Sequence, residues 1–357
     1  MIRTRQFHTG RNAREWHSII TPDDKTAPFD VQLKDVCSQY ASLLSETRTK
    51  RPVMCRWFLS DIHNQRHLLP ETDCATSVVG QPPLDCSKVT LWIWLMEGVE
   101  VKPVGEGRYG FTLCGIEHFV ECDRHQPGVD SLTATVNMLE DTQTFLEGRG
   151  GSLIDSCVRT WFFVRDVDVN YAGVVRGRND VFRRHGLSPA TRFIASTGIG
   201  GSHPQADDKV GMDSYSAIGL PDGAMKQVNA PDHLNPTHEY GVAFERACTV
   251  DYPDRRHMFI SGTASIDNHG NVVWPCDIRR QTQRMLENVD ALLRAGDMKP
   301  EDVAHYIVYL RDAADFAVVR EIMESRCRHL SIPFIIVLAP VCRPEWLIET
   351  ECMACSR

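Results

Sequence analysis

The strongest constraint on the fold is a stretch of sequence that occurs twice in the chain. Residues 137–166 and 284–312 each run from an amphipathic stretch into an apolar one that ends in Arg-Asp. Self-similarity at a period of about 147 residues predicts that one α/β unit is used more than once. The matching triplets are Met-Leu-Glu at 138–140 and 285–287, then Val-Arg-Asp at 164–166 and Leu-Arg-Asp at 310–312.

The C-terminal copy shows most clearly which secondary structure the repeat encodes. Apolar residues from Ile278 onward recur at three- and four-residue spacing, which is typical of an amphipathic helix. Gly296 and Pro300 end this helix, because neither residue type favours its continuation. The run 303–310 is rich in β-branched and aromatic residues and is predicted to be a strand.

The rest of this copy completes a predicted order of ββαβαββ. An apolar stripe over 316–323 predicts a second helix, and the run 334–339 predicts a buried strand. The segment 346–353 is predicted to be the closing strand. Strands at 259–260 and 271–274 flank an Asp-Asn-His-Gly turn and are predicted to form a hairpin.

A fainter third copy lies near the N-terminus. Residues 35–61 contain a helix-like stripe followed by an aromatic-rich strand, and another strand is predicted at 88–101. We therefore predict an α/β (α+β) fold of repeated units, each a β-sheet packed by helices. The predicted limits are 1–103 for a degenerate first unit, 104–222 for the second and 240–357 for the third, with Gly/Pro/Asn-rich linkers between them.

The composition is that of an ordinary soluble protein with a mildly acidic surface. Of the 357 residues, 42% are hydrophobic and 24% are charged, and the net charge is −8. Neither nucleic acid nor an anionic membrane is an expected partner, because both require a clustered basic face. No apolar run approaches the ~20 residues that span a bilayer, and the first residues do not resemble a secretory signal. The thirteen scattered cysteines favour reduced thiols and a cytoplasmic location.

Four segments follow one another in the last third of the chain. They are GTASIDNHGNVV at 262–273, QTQRMLENVDALL at 281–293, EDVAHYIVYLRDAADF at 301–316 and LIETECMA at 347–354. Together they resemble the Rid/YjgF family. The resemblance implies a chorismate-mutase-like α/β fold, which in that family forms trimers with clefts between neighbouring subunits. Three such units in one chain would make a monomeric pseudotrimer, whereas two would require a homotrimer.

A second resemblance covers residues 158–200, the SGTAS run at 261–265 and the PVCRPEWLIE run at 340–349. These segments are similar to the chorismatases. Enzymes of that family cleave chorismate and release pyruvate together with a hydroxybenzoate or a dihydroxycyclohexadiene carboxylate. The resemblance therefore implies a hydrolase or lyase that acts on a small aromatic or cyclohexadiene carboxylate, with no cofactor and no metal.

Cleavage of the enol ether of chorismate requires an acid that stays protonated near neutral pH, because the reaction starts with protonation of the enolpyruvyl methylene. Burial in an apolar site supplies such an acid by raising a carboxyl pKa. Glu349 lies in an apolar strand and shares a face with Glu351. The resemblance places Glu349 at the catalytic acid of chorismatases. The alternative is an edge strand with two solvated or Arg-paired glutamates.

Cys342 is the second catalytic candidate. The resemblance places it at a cysteine that lines the pocket of hydroxybenzoate-forming chorismatases and affects which product forms. A hydroxybenzoate product is then favoured. The alternative is a buried structural thiol, the commonest state of a free cysteine.

Substrate-binding candidates are expected to offer guanidinium or hydroxyl groups to a dianion, or to leave room for it beside the backbone. Arg178, in a Gly-Arg-x-x-x-Phe pattern, is the first choice and Tyr171 the second. For each of these two the alternative is surface salt-bridging or packing. The complete predicted set is Arg178, Tyr171, Tyr215, Gly262, Thr263 and Ala264.

Two other functions stay open: a Rid-type enamine or imine hydrolase, and a non-catalytic small-molecule-binding protein. In the Rid/YjgF family that the chain resembles, members that hydrolyse imines carry an arginine two residues after the proline that opens the penultimate strand. That proline is Pro333 here, and the position is Ile335. The second copy carries Arg192 three residues after Pro189. Ile335 therefore counts against imine hydrolysis.

Overall fold

The computed structural model describes residues 1–10, 13–49 and 51–357. Within these ranges the chain forms three β-sheets one after another, each packed by helices. None of the helices in the described ranges is both long and apolar enough to cross a membrane. The cysteines of the described ranges form no disulfide with one another.

The first sheet has five strands and carries one long helix. Its elements are β1 (Ile2–His8), β2 (Arg14–Ile20), α1 (Phe29–Thr47), β3 (Met54–Leu59), the short helix α2 (Ile62–Gln65), β4 (Thr76–Gly80) and β5 (Val89–Met96). The strands lie in the order β1-β2-β5-β3-β4. The β3–β4 pair is parallel and the other pairs are antiparallel.

The second sheet has six strands, and helices α3 and α5 pack against each other beside it. Its elements are β6 (Lys102–Gly105), β7 (Arg108–Leu113), β8 (Ile116–His125), α3 (Ser131–Glu147), α4 (Leu153–Ser156), β9 (Cys157–Val164), α5 (Val167–Arg184), β10 (Ala195–Gly200) and β11 (Val210–Ile218). The order is β6-β7-β8-β11-β9-β10, with β9–β10 parallel.

The third sheet also has six strands. Its elements are β12 (Met225–Val228), β13 (Ala247–Asp251), β14 (Arg256–Ala264), α6 (Ile278–Ala295), β15 (Val303–Leu310), α7 (Phe316–Arg328), β16 (Phe334–Leu338) and β17 (Ile348–Ser356). The order is β12-β13-β14-β17-β15-β16, with β15–β16 parallel.

Apart from the added edge strands β6 and β12, the three sheets have the same strand order, so the predicted fold of repeated α/β units is confirmed. The faint first copy is present as α1 and β3. It is degenerate at one point, because the four-residue α2 stands where the other units have the long helices α5 and α7. Strands β3, β9 and β15 are buried along their whole length, since helices cover one face and neighbouring units cover the other.

The structure differs from the predicted pattern in two places. The expected hairpin between 259–260 and 271–274 is a single bridge, Ile266 to Val272, and β14 pairs with β13 and β17 instead. The Asp267 carboxylate accepts backbone N–H groups of the following loop, which competes with ladder hydrogen bonds. Strand β12 lies within the stretch predicted as a linker, and β6 crosses the predicted limit at residue 103. The domain limits themselves stay predictions.

The three units pack in a ring. Strand β4 of the first lies against β8 of the second, β10 of the second against β14 of the third, and β15 of the third against β2 of the first. Isolated bridges reinforce these contacts, and they join Gly80 to Ser202, Ala195 to Glu245 and Pro83 to Val337.

One guanidinium connects all three sheets at the centre of the ring. Arg56 on β3 has no exposed surface. Its Nη2 lies 3.0 Å from the Asp213 carboxylate on β11, and its Nη1 lies 3.3 Å from the Glu351 carboxylate on β17. The aromatic rings of Trp161 and Phe163 also lie within 5.1 Å of the guanidinium carbon.

We expect Arg56→Ala to lower the free energy of unfolding by about 3–5 kcal/mol, because removing one partner leaves buried charges uncompensated. Arg320→Ala is the matched control. Arg320 also pairs with a carboxylate, Glu324, but at the surface, so its loss is expected to change stability by less than about 0.5 kcal/mol. Urea unfolding followed by tryptophan fluorescence measures both. Equal effects of the two substitutions would contradict a central role for Arg56.

Candidate active site

A cavity of about 420 Å³ lies between the second and third units. Helix α5 and strand β10 form one wall, and the loop before β13, strand β14 and the segment leading into β17 form the other. The lining residues are Tyr171, Ala172, Val175, Arg176, Arg178, Ser196, Gly198, Tyr240, Val242, Phe244, Arg246, Gly262, Ala264, Ile266, Cys342, Arg343, Trp346 and Glu349.

Helix α5 presents Tyr171, Val175 and Arg178 to the cavity because residues four and seven positions apart share a helix face. Its other side packs closely on α3 through two glycines. A Cβ at Gly173 would lie 2.1 Å from the Ser131 hydroxyl, and one at Gly177 would lie 2.9 Å from a backbone carbonyl oxygen of α3. The glycines therefore fix the distance between α5 and α3, and with it the position of the cavity wall.

Two further glycines make room for side chains inside the cavity. A Cβ at Gly262 would lie 2.1 Å from Glu349 Oε1, so the carboxyl occupies the space that any larger residue would take. A Cβ at Gly198 would lie 2.7 Å from the ring of Tyr171. The Gly262 N–H donates to the Thr197 hydroxyl at 3.0 Å, which ties β14 of the third unit to β10 of the second.

Glu349 is the carboxyl group of the cavity. It is 4% exposed, and no side chain of the described residues donates a hydrogen bond to it. Burial raises its pKa to about 8, and the negative charge of Glu351 adds to this rise, while the guanidiniums of Arg159 and Arg246 oppose it. A carboxyl in this state is protonated at neutral pH and has its proton available for transfer.

Four arginines face the same cavity: Arg176, Arg178, Arg246 and Arg343. None of them lies within ion-pair distance of a carboxylate in the described part of the chain. Arg246 donates to the backbone oxygen of Asn235 at 2.9 Å, and Arg343 donates to that of Gly270 at 3.2 Å. Their positive charges are therefore uncompensated and favour an anionic ligand.

Arg178 is the most deeply buried of the four arginines that line the cavity. It is 1% exposed, and its Nη1 donates to the Ser196 hydroxyl at 3.4 Å. Its Nε and Nη2 atoms are buried and have no partner among the described residues. Two free N–H donors on one guanidinium match the two oxygen atoms of a carboxylate.

Cys342 and Tyr171 contact each other inside the cavity, near Glu349. The Tyr171 hydroxyl and the Cys342 thiol hydrogen-bond to each other. Burial raises the Cys342 pKa to about 12, with a further contribution from Glu349, and burial also raises the pKa of Tyr171. Both groups therefore stay protonated near neutral pH and add no negative charge to the cavity.

The structure brings together six of the eight predicted site residues, and it leaves two outside. Thr263 points away from the cavity, because successive residues of a strand face opposite sides, and its hydroxyl donates to the Ser261 carbonyl. Tyr215 on β11 is buried in the core, where its hydroxyl hydrogen-bonds with His118 and Tyr252. The six residues that line the cavity are Glu349, Cys342, Arg178, Tyr171, Gly262 and Ala264.

Sequence reasoning missed Arg246, Arg343 and the aromatic residues Tyr240 and Trp346. Arg343 stacks over both rings, at 4.8 Å from the centre of Tyr240 and 4.6 Å from that of Trp346. Arg343 and Trp346 belong to the PVCRPEWLIE run, so this segment carried a signal for them. No local pattern singled out Arg246, which reaches the cavity through the packing of the loop before β13.

The arginine considered for imine hydrolysis lies elsewhere. Arg192 is not among the lining residues, and its guanidinium donates to the backbone oxygens of Phe193 and Cys157. Ile335 lies buried in β16 of the third unit.

Among the described residues, metal-ligand atoms converge in one group of three: Glu15, His257 and Cys355. This group lies outside the cavity. The Arg255 guanidinium lies 2.6 Å from the Glu15 carboxylate, so a cation of the protein already compensates that charge. The cavity itself offers a carboxyl, a thiol and four guanidiniums, which is a donor set for an anion rather than for a metal.

The acid is absent from the equivalent positions of the other units. The backbone N–H groups of Ser60, Arg165 and Arg311 donate to the carbonyls of Lys88, Lys209 and Leu347, respectively, and so mark matching points of the three sheets. Two residues beyond these carbonyls, the chain carries Thr90 in the first unit, Gly211 in the second and Glu349 in the third.

Comparison with known proteins places the last third of the chain in a family. Residues 247–356 match the family described as endoribonuclease L-PSP. The RutC family protein PH0854 of Pyrococcus horikoshii is 38% identical over 102 residues, which span 28% of this chain and 72% of that protein. The RutC family protein UK114 of Drosophila melanogaster is 30% identical over 103 residues, or 28% of this chain and 72% of that protein.

Most of the chain is similar in fold to a solved structure. A chorismatase crystal structure aligns with 85% of this chain and 93% of its own, with a TM-score of 0.66 and 19% sequence identity. At this identity the similarity concerns the fold. From the fold similarity, the three units together have the chorismatase fold. From its similarity to the RutC family proteins, the chain belongs to the RutC family, within the Rid/YjgF superfamily.

Proposed function

We propose that this chain is an enzyme that cleaves the enolpyruvyl ether of chorismate, with Glu349 as the general acid. The observation that carries the proposal is one buried carboxyl, whose pKa burial raises to about 8, beside a cavity whose four guanidiniums have no carboxylate partner among the described residues. Chorismate is a dianion with an acid-sensitive enol ether, so it needs both features. The fold shared with a chorismatase supports the same choice.

The residues of the cavity suggest how the substrate is held. Arg178 offers two free N–H donors to one carboxylate, and Arg246 and Arg343 lie on the opposite wall for the other. The apolar lining from Val175, Val242 and other residues fits the ring. In this proposal, charge on both walls holds the two carboxylates of the dianion, and the enolpyruvyl group lies beside Glu349.

The chemistry starts with transfer of the Glu349 proton to the terminal methylene of the enolpyruvyl group. This forms a methyl group and an oxocarbenium centre at the ether carbon. Water adds there, and its proton returns to the Glu349 carboxylate. The hemiketal then collapses to pyruvate and a dihydroxycyclohexadiene carboxylate. In the alternative outcome, pyruvate and a hydroxybenzoate form with no net uptake of water, and Cys342, beside the acid, is the candidate that selects between the two.

The direct test is pyruvate release from chorismate, measured with coupled lactate dehydrogenase, with the ring product identified by chromatography. We expect Glu349→Gln to lower kcat/KM by about 100-fold or more, because loss of a general acid costs 10²–10⁴-fold. Glu345→Gln is the matched control, since Glu345 is exposed and does not line the cavity. A folded Glu349→Gln variant with unchanged activity would refute the assigned role.

The pH dependence follows from the raised pKa of Glu349, which is about 8. The protonated form is the active one, so kcat/KM is expected to be constant below pH 8 and to fall about tenfold per unit above it. This alkaline limb should disappear from the residual activity of Glu349→Gln. A limb near pH 5 in the native protein would mean that Glu349 is ionised at neutral pH and is not the acid.

The close contact between Gly262 and the acid gives a second structural test. We expect Gly262→Ala to lower kcat by about tenfold or more, because its Cβ would lie 2.1 Å from Glu349 Oε1 and displace the carboxyl. Gly148→Ala is the control, since its nearest neighbour would be 3.6 Å away. Steady-state kinetics of both folded variants decide the point, and full activity in Gly262→Ala would show that the carboxyl position does not matter.

A further inference from the structure

Two glutamates of β17 share one face of the strand but lie in different surroundings. Glu349 receives no hydrogen bond from a side chain of the described residues. Glu351, two residues later, accepts three. Its Oε1 accepts from Trp161 Nε1 at 2.9 Å and from Arg56 Nη1 at 3.3 Å, and its Oε2 accepts from Arg159 Nη2 at 2.8 Å.

The donors to Glu351 come from the other two units. Arg56 belongs to β3 of the first unit, and Arg159 and Trp161 belong to β9 of the second. None of the described residues of the first unit lines the cavity. Its Arg56 nevertheless reaches the carboxylate that stands next to the acid.

We propose that Glu351 is a positioning residue for the reaction: its negative charge, fixed by Arg56, Arg159 and Trp161, keeps the proton on Glu349. The proposal rests on the function proposed above. It assigns a part in catalysis to the first unit, which acts on the site through charge rather than by contact with substrate.

The same cluster also fixes the surface on which the acid rests. The Arg159 guanidinium donates to the Thr197 hydroxyl as well as to Glu351. That hydroxyl accepts the backbone N–H of Gly262, the residue against which the Glu349 carboxyl lies. A displacement of Arg159 would therefore move both the neighbouring charge and the backbone beneath the acid.

The charged and titratable groups around Glu349 determine the direction of the effect. Glu351, on the same strand, disfavours ionisation of Glu349, whereas the cations Arg159 on β9 and Arg246 before β13 favour it. Removal of the Glu351 charge leaves Arg159 without its acidic partner, so both changes stabilise the ionised acid. Arg176, Arg178 and Arg343 line the same cavity as further cations. Tyr309 on β15, Tyr171 on α5 and Cys342 also lie near Glu349 and are neutral near pH 7, because burial raises the pKa of each.

The test is the pH profile of pyruvate release in Glu351→Gln. Residues two positions apart on a strand lie about 7 Å from each other. Two charges at that distance in a protein interior shift a pKa by about one unit or more, so the alkaline limb of Glu351→Gln should move down by that amount. Activity at pH 6 should stay within about threefold of the native value, while activity at pH 8 should fall about fivefold or more. Glu345→Gln should leave the limb in place. A uniform loss at all pH values with an unmoved limb overturns the proposal.

A second variant keeps the proposal testable if Glu351→Gln does not fold. Arg159→Met removes a cation near Glu349 while Arg56 and Trp161 still hold Glu351. The limb is expected to move up, opposite to the shift in Glu351→Gln. A limb that stays in place in folded Arg159→Met would show that charges of this cluster do not reach the acid, and would overturn the proposal.

A direct titration separates this inference from the proposed function. The carboxyl carbon of Glu349 can be followed by ¹³C NMR in the native protein and in Glu351→Gln, with Glu349→Gln to assign the signal. A lower pKa in Glu351→Gln supports the proposal even if chorismate is not cleaved. An unchanged pKa overturns it, whatever the activity of the native protein.

Discussion

The structure depends on one guanidinium that is buried where three sheets meet. Arg56 holds Asp213 of the second unit and Glu351 of the third, while aromatic rings cover its faces. Such a group is costly to bury alone, so the cluster is stable only when all three units are in place. The ring of units and the position of β17 therefore have the same origin. Because β17 also carries Glu349, the packing that closes the ring of units also positions the Glu349 carboxyl.

Neighbouring polar groups of the candidate site differ in the hydrogen bonds and ion pairs that they form. Among the side chains that the structure describes, three donate to Glu351 and none donates to Glu349, although both glutamates lie on the same face of the strand. The four arginines of the cavity likewise form no ion pair within the described part of the chain. Unsatisfied groups of this kind lower the stability of a folded chain, and their concentration at one cavity is typical of a site that is completed by its ligand.

Much of the fold could be predicted because the repeat and the helical stripes are local patterns. The α6–β15–α7–β16 order was readable from apolar spacing alone, and a motif match selected Glu349, Cys342 and Arg178. The expected hairpin at 259–274 was wrong because the Asp267 turn satisfies its own backbone. Arg246 and the donors to Glu351 could not be predicted, since they lie more than 90 residues away from the groups they serve. Tyr215 lies outside the cavity, because the face of β11 that carries it packs into the core.

Three units joined in one polypeptide have a consequence that a ring of three identical chains would not have. In an assembly of identical chains, every substitution is repeated at each interface, so a residue useful in one cleft must be tolerated in all. Here Thr90, Gly211 and Glu349 occupy matching positions but can change independently. A substitution that suits the cleft beside Glu349 is therefore not repeated in the other two units, so it does not have to be tolerated there.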